Sequence, residues 1–150
     1  MKIYLFLFVF CISVHANGQW GKIENDPSPL HRSQKPLSDI IVSDIFSPPV
    51  ASRIFVYSNI AAYEIQAKNN NQFQSLKGQL NGFNGIPNAD KKQISYSLAA
   101  TYAYWQVAKR LVFSDQVALD SLNSILLWYK VKEYPDTVVQ NSILYDKKVL

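Results

Sequence analysis

The stretch SDIFSPPVASRIFVYSNIAAYE, Ser43 to Glu64, decides the fold. Its first residues end one helix and its later ones build another. Ser47-Pro48-Pro49 marks the junction, because the residue before a proline is pushed out of the helical region. Ser47 is a good N-cap type, and proline is tolerated in a first turn, where the amide has no partner anyway. From there a helix is expected to about Lys68. It is rich in apolar and aromatic residues, yet it carries Arg53, Asn59 and Glu64. The helical turn puts Arg53, Tyr57, Ile60 and Glu64 on one face and Ser52, Asn59, Tyr63 and Gln66 on another. Arg53 and Glu64 are about three turns apart, too far for a direct pair at ~1.5 Å per residue. Such groups either orient a reaction site from behind or satisfy one another inside a bundle. The second reading fits the rule that buried polar groups are hydrogen-bonded.

Outward from this stretch the pattern stays helical. LSDIIVSDIF, Leu37 to Phe46, puts Leu37, Ile40, Ile41 and Ile45 along one side. Before it, residues 17–36 hold Gly18, Gly21, Pro27, Pro29 and Pro36 and read as an irregular leader. Trp20 within it reads as an anchor that pins the leader to the domain. After Lys68, NNNQFQSLKGQLNGFNGIPN reads as a long exposed loop. Asp90 is the expected cap of a third helix, Lys91 to Phe113, with Ile94, Leu98, Thr101, Trp105 and Val112 on one face. Ser114 caps a fourth, Asp115 to Glu133, whose inner face is Ala118, Leu122, Ile125, Leu126 and Tyr129. Pro135 separates a fifth, starting near Asp136, with Val139, Ile143, Leu144 and Val149 as its apolar side. No segment alternates as a strand, and no repeat of roughly 34 residues marks a tetratricopeptide array. The expectation is an all-α helical bundle over residues 37–150. The sequence stops at DKKVL with no helix stop signal, which reads as a fragment of a longer chain.

The N-terminus reads as an export signal spanning residues 1–16. Lys2 precedes the apolar run Ile3 to Val14, and Val14-His15-Ala16 suits cleavage after Ala16. The run is shorter than the roughly 20 residues of a membrane-spanning helix, so no stable span is expected. Cys11, the only cysteine, leaves with the signal, and bulky Phe10 before it argues against lipidation. His15 leaves as well, so His31 is the one remaining histidine. Disulfides and cysteine-based metal sites or nucleophiles are thereby excluded from the mature segment, and most routes to a zinc site, a histidine triad or a histidine-ligated cofactor are removed. Removing Lys2 from the 15 basic residues leaves 14 against 11 acidic ones, a net +3. The charges are scattered, so nucleic-acid binding is not expected. A hydrophobic content of 48% indicates a packed core rather than disorder.

Ser43 to Glu64, and its SPPVASR core above all, resembles a stretch near the start of bacterial vanadium-dependent haloperoxidase-like proteins. These belong to the type 2 phosphatidic acid phosphatase superfamily. The exported leader, the Trp before the helices and SLAATYAYWQVAKRLVF also look like that family. The resemblance implies an all-helical fold and, in the full-length protein, a site for vanadate or a substrate phosphate. Its pattern has a Lys followed by Arg-Pro, then Pro-Ser-Gly-His, then Ser-Arg with a His six residues after the Arg. Arg and Lys would donate to the oxyanion, while histidines act as acid, base, nucleophile or ligand. None of that set is present. Ser52-Arg53 is a local match, but Asn59 stands where the pattern needs His, and an amide cannot replace an imidazole.

The resemblance therefore implies the N-terminal part of an exported enzyme, periplasmic or extracellular. Phosphoryl transfer, or vanadate-dependent halide oxidation by peroxide, would be carried out by residues beyond Leu150. Its partners would be a phosphate ester, or halide and peroxide. Within this chain no catalytic, cofactor or metal residue is assigned. The alternative is an exported helical interaction module without catalysis. His31, in a proline-rich setting, reads as a surface residue. Tyr57, Tyr63, Tyr96, Tyr102, Tyr104 and Tyr129 read as core aromatics with rim hydroxyls rather than a stacking groove.

Overall fold

The computed structural model describes residues 26–89 and 93–149. Five helices form the fold of the described residues: α1 (Ser28–Ser43), α2 (Pro48–Asn69), α3 (Tyr96–Leu111), α4 (Asp115–Val131) and α5 (Asp136–Val149). No strand occurs among the described residues. The all-α expectation and the order of the helices therefore hold. Trp20, Asp90 and the export signal lie outside the described residues.

α3 is the hub, packing against each of the other four helices. Its sequence explains this. Ala99, Ala100, Ala103 and Ala108 are buried, as are Leu98, Thr101, Tyr104 and Trp105. A helix buried nearly all round must be apolar or small all round, and this one is. α2 faces it with Ile54, Ser58, Ala62 and Ile65, spaced by three and four. Small side chains at this interface let the two backbones approach. A second cluster joins Leu98 of α3 to Tyr129, Tyr134 and Val139, with Tyr129 and Tyr134 edge to face at 5.0 Å.

Two boundaries differ from the sequence reading. α1 begins at Ser28, not Leu37, so residues 28–36 are helical rather than irregular. Pro36 lies inside the helix, where it withholds one backbone hydrogen bond. The packing compensates: Pro29 and Ser33 are buried, and Ser33 Oγ donates to Pro29 O at 2.9 Å and accepts from Trp105 Nε1 at 2.9 Å. Asp26 takes over the start of the helix by accepting from the Ser28 amide at 2.9 Å. α3 begins at Tyr96, capped by Ser95, whose hydroxyl accepts from the Leu98 amide. The turn of α5 also departs from the expected face. Val138, Val139, Ser142, Tyr145 and Asp146 are inside, whereas Leu144 is 48% exposed.

The junction in Ser43–Pro49 is now explicit. α1 ends in a Schellman motif: Phe46 N–H donates to Ile41 O and Ile45 N–H to Val42 O. The left-handed position is Ile45, at φ 58°, where glycine is usual. A branched residue there costs roughly 1–2 kcal/mol, and its side chain is 89% exposed instead of facing the core as expected. α4 ends the same way, with Glu133 at φ 58° and Tyr134 N–H donating to Tyr129 O. Neither stop carries the glycine that would mark it in a sequence.

Asp44 secures this junction from a distance in sequence. Its Oδ2 accepts from the amides of Phe113 at 2.8 Å and Ser114 at 3.0 Å, and its Oδ1 from the Ser114 hydroxyl. Ser114 is the N-cap residue of α4, but its side chain makes no cap bond within its own helix. The carboxylate of Asp44 serves the α3–α4 turn instead. Phe46 stacks on Phe113 at 4.7 Å beside it. Burial works to raise the Asp44 pKa, but the three donors outweigh it and hold the pKa below the usual carboxylate range. We predict that Asp44→Ala costs about 1.5–3 kcal/mol, the range for hydrogen bonds to a charged group. Its contribution is present above the unfolded pKa and fades as pH falls through the lowered one. Urea denaturation at neutral pH measures this, and an unchanged midpoint would discard the clamp.

Candidate functional site

The polar groups of α2 do not converge. Arg53 is exposed, and Tyr57 is 50% exposed. Glu64, on the same helical face, is buried and turned to a different task. Its Oε2 accepts from Ser75 Oγ at 2.7 Å and its Oε1 from the Leu76 amide at 2.6 Å. It thus pins the loop that follows α2. Tyr63 assists by donating its hydroxyl to Gln74 O at 2.8 Å. Asn59 Nδ2 donates to Phe55 O at 2.8 Å, and Ser52 Oγ to Pro49 O at 2.9 Å, both within α2. Asn59 Oδ1 also accepts from Gln34 Nε2 of α1 at 3.2 Å. Of these groups only Glu64 is a satisfied polar group inside the bundle, as the structural reading expected; Ser52, Arg53 and Asn59 lie on the exposed side of α2.

The tyrosines follow the same logic. Tyr104 is fully buried, and its hydroxyl donates to Gln34 Oε1 at 3.3 Å. Burial pushes its pKa well above the ordinary phenol value. Tyr129 is buried with its oxygen 3.1 Å from Ser97 Oγ, and Tyr96 sits edge to face with Tyr145 at 6.5 Å. His31 is exposed on α1.

One concave surface lies between α1 and α4. A cleft of about 300 Å³ there is lined by Pro29, Arg32, Pro36, Trp105, Ser121, Ser124, Ile125 and Trp128. Its floor is apolar and aromatic, and Arg32 stands exposed at its edge. The Trp105 indole N–H is already committed to Ser33, and the Ser121 and Ser124 hydroxyls donate to Val117 O and Asp120 O of their own helix. The cleft offers contact surface and one cation. It has no nucleophile and base within reach of each other.

Asp146 was not singled out by the sequence and is the most perturbed acid of the described residues. It is fully buried on α5, and neither carboxylate oxygen has a hydrogen-bond partner. Burial raises its pKa to about 7, against a weaker lowering by Arg110. Its charge in turn helps raise the hydroxyl pKa values of Tyr102 and Tyr145, where burial is the larger cause. Its signal in the sequence was helical spacing, since it lies one turn after Ser142 on the inner side of α5.

A bound oxyanion such as vanadate needs converging cations and an imidazole. Over residues 26–89 and 93–147 no Lys, Arg or His is buried, and the two buried charged residues, Glu64 and Asp146, are both acidic. The described residues do not fit vanadate. Nor do three or more His, Cys, Asp or Glu side chains gather in a metal-binding group among them. No helix there is long and apolar enough to cross a membrane.

No protein-family model and no curated protein matches the sequence. Among solved structures, the chain is similar to one described as the first bacterial vanadium-dependent iodoperoxidase. Sequence identity is 42% and the TM-score is 0.76, over 82% of this chain. The chain spans only 29% of the length of that protein.

Proposed function

We propose that this chain, vanadium haloperoxidase-like across most of its length, is the N-terminal helical part of an exported enzyme of that kind, within the type 2 phosphatidic acid phosphatase superfamily. One observation carries the reading: 42% identity over 82% of the chain, set against 29% coverage of the related protein. Residues that are similar in sequence and fold to part of an enzyme, yet hold no reacting constellation, are suited to a supporting role. α1 to α5 would build a wall of the bundle. The chemistry, halide oxidation by peroxide on vanadate or phosphoryl transfer, would belong to residues supplied beyond this stretch. Export is supported by Lys2, the apolar run Ile3 to Val14 and the small residue Ala16.

The reading frame after Leu150 tests this directly. Arg-Pro followed by Pro-Ser-Gly-His is the expected result, and a stop codon with neither motif downstream would defeat it. We further predict that the purified 150-residue chain oxidises no iodide or bromide in the presence of vanadate and peroxide, and releases no phosphate from esters. Triiodide absorbance and phosphate release are the readouts. Turnover from this chain alone would show that the site lies within it.

A further inference from the structure

The cleft between α1 and α4 continues into a second one of similar size, about 300 Å³ each, with Pro36 and Ser121 lining both. Together they form one groove. Ser43 lies opposite Ser114 and Val117 at one end, and Pro29 opposite Ile125 and Trp128 at the other. α1 and α4 therefore flank the groove in antiparallel order. On the α4 side Val117, Ser121, Ser124 and Trp128 recur at spacings of four, three and four, one helical stripe about 16 Å long. On the α1 side Pro29, Arg32 and Pro36 follow the same period. We propose that this groove seats a helix of about three turns, contributed by the part of the longer haloperoxidase-like polypeptide that lies outside this chain. This rests on the fragment reading above.

Three observations choose that occupant. First, the related protein is far longer than the segment matched here, so most of its fold is available to cover this one. Second, the groove has the form of a helix seat: a Val117 flank 51% exposed, an indole at the far end, and short serines between that let a backbone come close. Third, the charges are uneven. Asp39 on the rim is paired with Lys35 at 2.6 Å, whereas Arg32 has no carboxylate within ion-pair distance among the described residues and feels only the more distant charge of Asp26. The seated helix should therefore bear an acidic residue facing Arg32, with apolar residues toward Trp128 and Val117.

Two stapled amphipathic peptides of roughly 14 residues serve as probes, identical except for Glu or Lys at the position facing Arg32. Fluorescence anisotropy with the 150-residue chain is expected to show the Glu peptide binding at least about tenfold more tightly than its Lys twin. Arg32→Glu should invert that order. Ser124→Arg, at an exposed position, should weaken both peptides by about tenfold or more, and Val56→Arg on the outer side of α2 should change neither. Circular dichroism confirms that each variant is folded. Absence of binding, or binding indifferent to Ser124→Arg and to the charge swap, overturns the groove. Concentration-dependent dimerisation abolished by Ser124→Arg also overturns it, because the occupant would be a second copy. The reading frame after Leu150 judges the fragment reading separately, so either idea can fail alone.

Discussion

Trp105→Ala is expected to cost the fold about 3–5 kcal/mol, the range for truncating a buried large aromatic. Trp105 is fully buried at the meeting of α1, α3 and the cleft. It packs edge to face with Tyr104 at 5.6 Å. Its indole N–H donates to Ser33 Oγ, itself fully buried, which in turn donates to Pro29 O. Truncation opens a cavity and removes a buried tie from α3 to the early turns of α1, leaving the longer Tyr104–Gln34 bond at 3.3 Å. Trp105→Phe should be milder, about 1–2 kcal/mol, because it keeps most of the packing and loses mainly the hydrogen bond. Urea denaturation measures both. A loss below about 1 kcal/mol for the alanine variant would mean that α1 is held by other contacts.

Asp146→Asn is expected to stabilise the protein above pH 7 and to remove a pH dependence. The folded pKa of Asp146 is raised to about 7, from 3.8, chiefly by burial. In the interval between those values the folded state keeps a proton that the unfolded state has lost. Stability then falls as pH rises, and the full cost is reached above about pH 7. A shift of this size corresponds to on the order of 4 kcal/mol. The charged and titratable groups around it are Arg110, Tyr102 and Tyr145. Arg110 is exposed, and its attraction is weaker than the desolvation. Asp26 and Asp44 have lowered pKa values, so their own effects fall at more acidic pH. Denaturation midpoints from pH 4 to 8 should decline for the wild type and stay nearly level for the variant. Parallel profiles for the two proteins would remove Asp146 as the cause.

Much of the architecture was legible because helices announce themselves by period and punctuation. Ser47-Pro48-Pro49 fixed the start of α2, and Leu98, Thr101 and Trp105 lie buried on α3 as their spacing required. Residues 28–36 read as irregular because proline is a strong local breaker. Pro36 nonetheless sits inside α1, since burial of Pro29, Ser33 and Leu37 against the bundle outweighs one missing hydrogen bond. The two helix stops were invisible for a related reason. Ile45 and Glu133 hold left-handed positions without glycine, and only the tertiary fold makes that conformation worth its strain.

The sequence by itself determined the all-helical class, the five helices in order and the kinship read from Ser43 to Glu64. These depend on local spacing and residue type, which a linear string contains. Only the tertiary structure decided what the polar residues do. Asp44 clamps the α3–α4 turn across the chain, Glu64 pins a loop, Asp146 is stranded in the interior, and Arg32 stands at the edge of a groove. The partners of a charged side chain are set by the packing of distant segments and by solvent access. Neither is a property of sequence neighbours.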